Sequence, residues 1–312
     1  MAAPVFEHKS VLLEQTVNYV LNDPAGIYVD CTLGGGGHAF ALGEKLNSDA
    51  LLIGIDQDKD ALAAAQKRLE SLNCKKLFVQ ENFAALDKIF SELSIDKVNG
   101  IIFDLGVSSY QLDTPERGFS YMQDGPLDMR MDVSQPKSAQ DIINTYSEEK
   151  LFAIIKNYGE ERWAKRIAQF IVKDRREKSF TRTTQLVETI KKAVPKGARR
   201  DGPHPAKRTF QAIRIELNRE LEILENAFTV AAQKLVSDGR MGIITFHSLE
   251  DRIAKQTLSE LSKNCICPPS MPICVCNHRA ILKNVKSIKP DEKELTENPR
   301  ARSARLRAAT KI

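Results

Sequence analysis

The sequence predicts an α/β protein, a mostly parallel, Rossmann-like sheet interrupted by an inserted helical domain. Three observations predict it. Short apolar runs alternate with helical patterns up to residue 106, and a run of four glycines joins the first apolar run to the first helix. The strand rhythm then stops and resumes only at residue 239. Strands that alternate with helices pair in parallel through right-handed crossovers, which cover both faces of the sheet.

The elements follow in order. "GIYVDCT" (26–32), "ALLIGID" (50–56), "KKLFVQEN" (75–82) and "VNGIIFDLG" (98–106) read as strands. "AFALGEKLN" after the glycines, "DALAAAQKRLESL" (60–72) and "FAALDKIFSEL" (83–93) carry apolar residues at helical spacing on strong helix formers. The stretch 111–132 is too rich in turn residues and charge to be a buried strand, and 138–194 is helical in pattern. A basic, turn-rich segment (196–208) leads into a long helix expected over 209–236. "GRMGIITF" (239–246) reads as a fifth buried strand, "SLED" (248–251) as a helix start capped by Ser248, and "ILKNVKSI" (281–288) as a late strand. The insertion is expected over 113–207.

A chain of 312 residues with 42% hydrophobic and 28% charged residues is a soluble globular protein of one large or two ordinary domains. No apolar run approaches the roughly 20 residues that span a bilayer, and the N-terminus has no secretory pattern, so a cytoplasmic protein without membrane contact is expected. Residues 1–110 hold 9 Lys and Arg against 15 Asp and Glu, a net −6; residues 111–312 hold 37 against 26, a net +11. A basic remainder behind an acidic first third suggests a polyanionic partner, although a solvated surface carries the same charges.

In "VDCTLGGGGHAF" (29–40) the glycines sit at the first strand–helix turn, where open α/β sheets bind ligands. A P-loop would continue G-K-[ST], and a dinucleotide turn would place glycine where Ala39 stands. The carboxylates say more. Asp30, Asp56 and Asp104 end the first, second and fourth strands, at one rim. Each alone could be a helix cap. Together they suit a nucleoside with a cationic end: Asp56 for the ribose, Asp30 and Asp104 for an ammonium and sulfonium, Phe83 against the adenine. S-adenosylmethionine has that chemistry. His38 alone reads as a helix-start hydrogen bonder.

"DCTLGGGGH" (30–38), "DLGVSSYQLD" (104–113), "RGFSYMQDGPLDMRMD" (117–132), "FQAIRIELNREL" (210–221) and "FHSLEDR" (246–252) resemble one family, the bacterial 16S ribosomal RNA (cytosine N4)-methyltransferases. The likeness extends to "HKSVLLEQ" (8–15) and the cysteine–proline stretch at 265–276. The resemblance implies a class I methyltransferase fold in segments 1–112 and 208–312, with 113–207 as an inserted RNA-recognition domain. It implies S-adenosylmethionine as methyl donor and, as substrate, the N4 amine of a cytidine in the decoding region of the small ribosomal subunit. Its cofactor contacts fall on Gly36, Gly37, His38, Asp56, Phe83, Asp104 and Gln111, all matched here, with no metal among them. The variable second glycine is Gly35.

Attack by an exocyclic nitrogen needs no cysteine nucleophile, so Cys31 is expected to be structural. Asp104 is the candidate catalytic group, accepting a hydrogen bond from N4; holding the donor's ammonium is its alternative role. DNA amino-methylases place [DNS]-P-P-[YFW] after this strand, where "DLGVSSY" stands, and Tyr110 is expected at a core or surface position rather than on the base. RNA contacts are expected from Lys196, Arg199, Arg200, Lys207 and Arg208, and from Arg300, Arg302, Arg305 and Arg307 in the tail. The 117–132 segment reads as a substrate-facing loop or a rigid linker. Cys265, Cys267, Cys274 and Cys276 form C-x-C-x6-C-x-C. That is tighter than the usual C-x2–4-C of zinc sites, so a loop of partly buried thiols without metal is expected and zinc is the alternative. A homodimer is a further expectation.

Overall fold

A computed structural model describes residues 10–199, 204–268, 271 and 273–312. The chain runs α1 (Leu13–Val20), β1 (Ile27–Asp30), α2 (Gly37–Gly43), β2 (Leu51–Asp56), α3 (Lys59–Leu69), β3 (Lys75–Gln80), α4 (Leu86–Glu92) and β4 (Val98–Asp104). Six helices follow: α5 (Ser109–Asp113), α6 (Ala139–Thr145), α7 (Glu148–Gly159), α8 (Ala164–Glu177), α9 (Thr183–Ala193) and α10 (Lys207–Asn218). The last part is α11 (Leu224–Lys234), β5 (Leu235–Thr245), α12 (Ser248–Leu261), β6 (Leu282–Ile288), α13 (Glu292–Glu297) and β7 (Arg305–Lys311). Two compact units result: residues up to Gly106 with Glu222–Ile312, and Val107–Leu221. The second unit is longer at both ends than the expected 113–207.

The first unit holds one seven-stranded sheet, ordered β3-β2-β1-β4-β5-β7-β6. β1 to β5 are parallel, with Val29 opposite both Ile53 and Ile101. Val29, Ile53, Ile55, Ile101, Ile102 and Phe103 are at most 1% exposed, the near-continuous apolar reading of strands covered on both faces. Strand order reverses at β1 and β4, which opens a crevice at their carboxyl ends. β7 runs antiparallel between β5 and β6. This is the class I methyltransferase fold.

The arginine-rich tail is ordered: Arg305–Lys311 form β7, while Arg300 and Arg302 before it are exposed. Leu306 and Ala308 are buried in the sheet, and Arg307 donates to both carboxylate oxygens of Asp251 at 2.7 and 2.8 Å. The cap of α12 shifts by one residue. His247, not Ser248, is the N-cap: its Nδ1 accepts from the Glu250 amide at 3.4 Å, while Glu250 Oε2 accepts from the His247 amide at 3.3 Å.

The second unit packs Ile154, Ile155, Ile167, Ile171, Leu186, Ile190 and Ile213 from α7, α8, α9 and α10 into its own core. The helix expected over 209–236 is two. Asn218 ends α10, donating to the Met129 and Arg214 carbonyls, and Arg219 turns left-handed with φ 53°. The 117–132 segment is mostly inside this unit: Leu127 and Met129 are 1% and 0% exposed, and Arg117 donates to the carbonyls of Arg130 and Met131. Its exposed part is short: residues 122–124 and Pro126.

Candidate functional site

The carboxyl edge of β1, β2 and β4 gathers most of the expected ligand residues. Thr32 joins two strand tips, because its amide donates to Asp30 Oδ1 at 3.1 Å and its Oγ1 accepts from the Asp104 amide at 2.5 Å. Asp56 pins the glycine turn: Oδ2 accepts from the Gly34 amide at 2.7 Å and Oδ1 from the Asp58 amide at 2.9 Å. Asn82, next to Phe83, donates to Gln57 Oε1 at 2.9 Å and so ties the β2 and β3 ends together. Phe83 packs edge-on against Phe103 of β4, ring centroids 5.6 Å apart.

The glycines have separate reasons. Gly34 and Gly36 have φ of 50° and 74°, in the region where a Cβ is strained. A Cβ on Gly36 would also stand 3.3 Å from that of Ala65 in α3, and one on Gly37 would collide with Ser10. Gly36 is therefore required by the protein's own backbone and packing, whereas at Gly37 the Ser10 hydroxyl would have to move. A Cβ on Gly35 would meet nothing. The open side of the turn is at Gly35, where a ligand has room.

His38 is 3% exposed at the start of α2. Its Nε2 lies 3.1 Å from the Val11 carbonyl and its Nδ1 3.4 Å from Asp104 Oδ2. Burial depresses its pKa, but Asp104, together with Asp30 and the Val11 carbonyl, more than offsets this and the net shift is upward. Asp104 Oδ1 is buried and has no hydrogen-bond partner among the described residues. Asp30 is 1% exposed; burial pushes its carboxyl up to about 7, His38 opposes this, and Asp104 and Asp56 add to it. A buried acceptor without a donor and three carboxylates at one edge fit a cation. They do not suit a pyrophosphate, in keeping with Ala39 where a dinucleotide turn would place glycine.

Gln111 lies in the second unit, 4% exposed, its side-chain oxygen accepting from the Ser108 amide at 3.0 Å in a capping box. Tyr110 is half exposed. In the same unit a surface depression of about 470 Å³ is lined by Arg166, Lys191, Lys192, Lys196 and Arg199, with Glu188 as its one acid. Arg199 Nε is buried there without a partner among the described residues. Lys207 and Arg208 are exposed on α10, and Arg200 lies outside the described residues. Arg166, Lys191 and Lys192 were not nominated from sequence, since their convergence depends on how α8 and α9 pack. Thr32 was missed because a lone threonine in a turn carries no signal of its own.

The fold and its acidic, glycine-turned edge define a methyltransferase of class I. The sequence model described as the MraW methylase family matches residues 5–312, and the chain belongs to that family. It is 53% identical over 309 residues to the Clostridium botulinum (strain Kyoto / Type A2) protein named "Ribosomal RNA small subunit methyltransferase H", covering 98% of this chain and 99% of that one. It is 50% identical to the Clostridioides difficile (strain 630) protein of the same name, with the same coverage. A solved structure of an rRNA methylase from Streptococcus thermophilus aligns at a TM-score of 0.41 and 11% identity, covering 96% of this chain and 93% of that one. No described helix is long and apolar enough to cross a membrane.

Proposed function

We propose that the chain transfers the methyl group of S-adenosylmethionine to the exocyclic N4 of a cytidine in the decoding region of 16S ribosomal RNA, acting on the small subunit in the cytoplasm. The observation that carries this reading is Asp104, a carboxylate at the tip of β4 with one oxygen paired to His38 and the other lacking a donor. Family membership and the names of the relatives support the reaction class and the RNA.

When bound, the donor supplies a methyl group on a sulfonium, open to in-line displacement. The chain's part is to bring the amine to about 3 Å from that carbon and to make its lone pair available. The N4 lone pair is delocalised into the cytosine ring. Asp104 Oδ1, accepting from N4–H, favours the pyramidal nitrogen and receives the proton shed on methylation. Asp56 at the β2 tip holds the ribose, Phe83 lies against the adenine, and Gly36, Gly37 and His38 form the wall of the turn. Gln111, in this reading, completes the cofactor contacts.

The cysteines agree with a nitrogen target. Attack at a pyrimidine carbon needs a thiolate, whereas Cys31 is 1% exposed and its thiol is pushed well above the ordinary range by burial and then by Asp30. The basic depression of the helical unit is the proposed phosphate contact, with Lys196 and Arg199 as sequence-nominated members. The test is mass mapping of methylated nucleosides in small-subunit RNA from cells lacking this protein. Loss of N4-methylcytidine is expected; an unchanged signal would refute the assignment.

A further inference from the structure

The loop between α12 and β6 has a feature that methyl transfer does not use. From Ser262 to Ile281 no described residue is buried, and Ile266, Ile273 and Val275 are 50%, 74% and 64% exposed. Its ends are tied: the Ile281 amide donates to the Leu261 carbonyl at 2.8 Å, the Ala280 amide to Asn264 Oδ1 at 3.2 Å, and His278 Nε2 lies 2.9 Å from the Glu260 carbonyl. Between those ties the described residues of the loop form no core of their own to fix side chains.

Four sulfurs converge there nonetheless. Cys276 Sγ is 3.8 Å from Cys265 Sγ and 3.5 Å from Cys274 Sγ, and Cys267 Sγ is 4.0 Å from Cys274 Sγ. All four lie within 4.8 Å of one another. A tetrahedron of thiolates about 2.3 Å from a central ion has edges of about 3.8 Å. A disulfide would need about 2.05 Å. The C-x-C spacing is no obstacle, because each pair points both sulfurs at one centre. The Cys267 amide donates to Cys265 Sγ at 3.4 Å, and Asn277, left-handed at φ 50°, turns the chain immediately after the last ligand.

We propose that Cys265, Cys267, Cys274 and Cys276 bind one Zn2+ as a four-thiolate structural site that clips the α12–β6 loop. The separations leave room for a single ion, and an all-sulfur tetrahedral shell suits Zn2+. Binding is ligand exchange only. Each thiol gives its proton to solvent, four Zn–S bonds form, and zinc stays divalent. In a loop without a core, these bonds take the place of apolar packing. The proposal is independent of the methyl-transfer reading.

The test is metal analysis of the full chain, purified without added metal or chelator, by inductively coupled plasma mass spectrometry. One zinc per chain is expected, released when a mercurial blocks the thiols. In a Cys265→Ser, Cys274→Ser double variant the zinc content should fall at least about tenfold. Cys74→Ala, outside the loop, should keep it. Should the double variant fail to fold, the wild-type chain exchanged with Co2+ decides: a visible spectrum of tetrahedral thiolate coordination is expected. The proposal is overturned by metal-free chain after reconstitution with excess Zn2+ and desalting, by iron in zinc's place, by zinc retained in the folded double variant, or by octahedral Co2+.

Discussion

His38 Nδ1 stands 3.4 Å from Asp104 Oδ2; His38 Nε2 lies against the Val11 carbonyl, and the Asp104 amide donates to Thr32 Oγ1. The histidine occupies one carboxylate oxygen and leaves the other to serve a ligand. Both proposed roles of Asp104 follow from this half-used carboxylate.

Asp104→Asn keeps the shape and removes the charge. Methyl transfer to small-subunit RNA should fall by about 10²-fold or more. Calorimetric titration with S-adenosylhomocysteine separates the roles. Unchanged affinity places Asp104 on the N4 amine, and lost affinity places it on the ammonium. Undiminished turnover would exclude both.

Asp56→Ala removes the acceptor for the Gly34 and Asp58 amides as well as the proposed ribose contact. Donor affinity should weaken by on the order of 1–3 kcal/mol, with a fall in thermal stability from the two orphaned amides. Affinity equal to wild type would refute the ribose role.

The two neighbouring glycines should respond differently. Gly36→Ala places a Cβ at φ 74° and 3.3 Å from Ala65, and should cost on the order of 1–2 kcal/mol in a denaturant titration. Gly35→Ala meets open space and should unfold within about 0.5 kcal/mol of wild type. Equal losses would contradict the geometry of the turn.

Asp30 sets a pH dependence. Its carboxyl is raised from 3.8 to about 7, so between those values the folded chain binds more protons than the unfolded chain. Stability from this group is therefore fully present below pH about 4 and is lost as pH rises through about 7. Asp30→Asn cannot ionise. Its stability relative to wild type should climb across that window by up to about 4 kcal/mol, read from melts at each pH. A flat difference would show that Asp30 titrates normally.

Reversing Lys192 and Lys196 to Glu in the helical unit should weaken binding to small-subunit RNA and leave S-adenosylhomocysteine affinity unchanged. The plot of log affinity against log salt should also flatten, by about one unit per phosphate contact removed. An unaltered slope would move the RNA contact elsewhere.

The five parallel strands were legible because burial on both faces writes an unbroken apolar run, as in Ile101–Phe103. β7 was not, because "RLRAATK" carries two arginines and two alanines where a strand usually shows branched side chains. Its inward arginine is tolerated only because Asp251 of α12 meets it. The break at Arg219 depends on Asn218 reaching Met129, a contact between residues far apart in sequence. The acidic edge was legible as carboxylates ending strands, but the Asp56–Gly34 bond and the unsatisfied oxygen of Asp104 exist only once the strands are paired. The spacing of the four cysteines was legible but the convergence of their sulfurs was not, since spacing says nothing about where sulfurs point.

The parallel neighbours β4 and β5 meet with Ile101 opposite Met241, and the entire helical unit lies between them in sequence. Joining strands across so long a span of unfolded chain is entropically slow, whereas the helical unit contains neighbouring pairs, α7 with α8 and α8 with α9, that close much shorter spans and condense earlier. Folding should therefore be ordered: the helical unit forms first and shortens the span, and the two halves of the sheet dock afterwards. The arrival of β5 next to the tip of β4 becomes a late event in the maturation of the donor-binding edge.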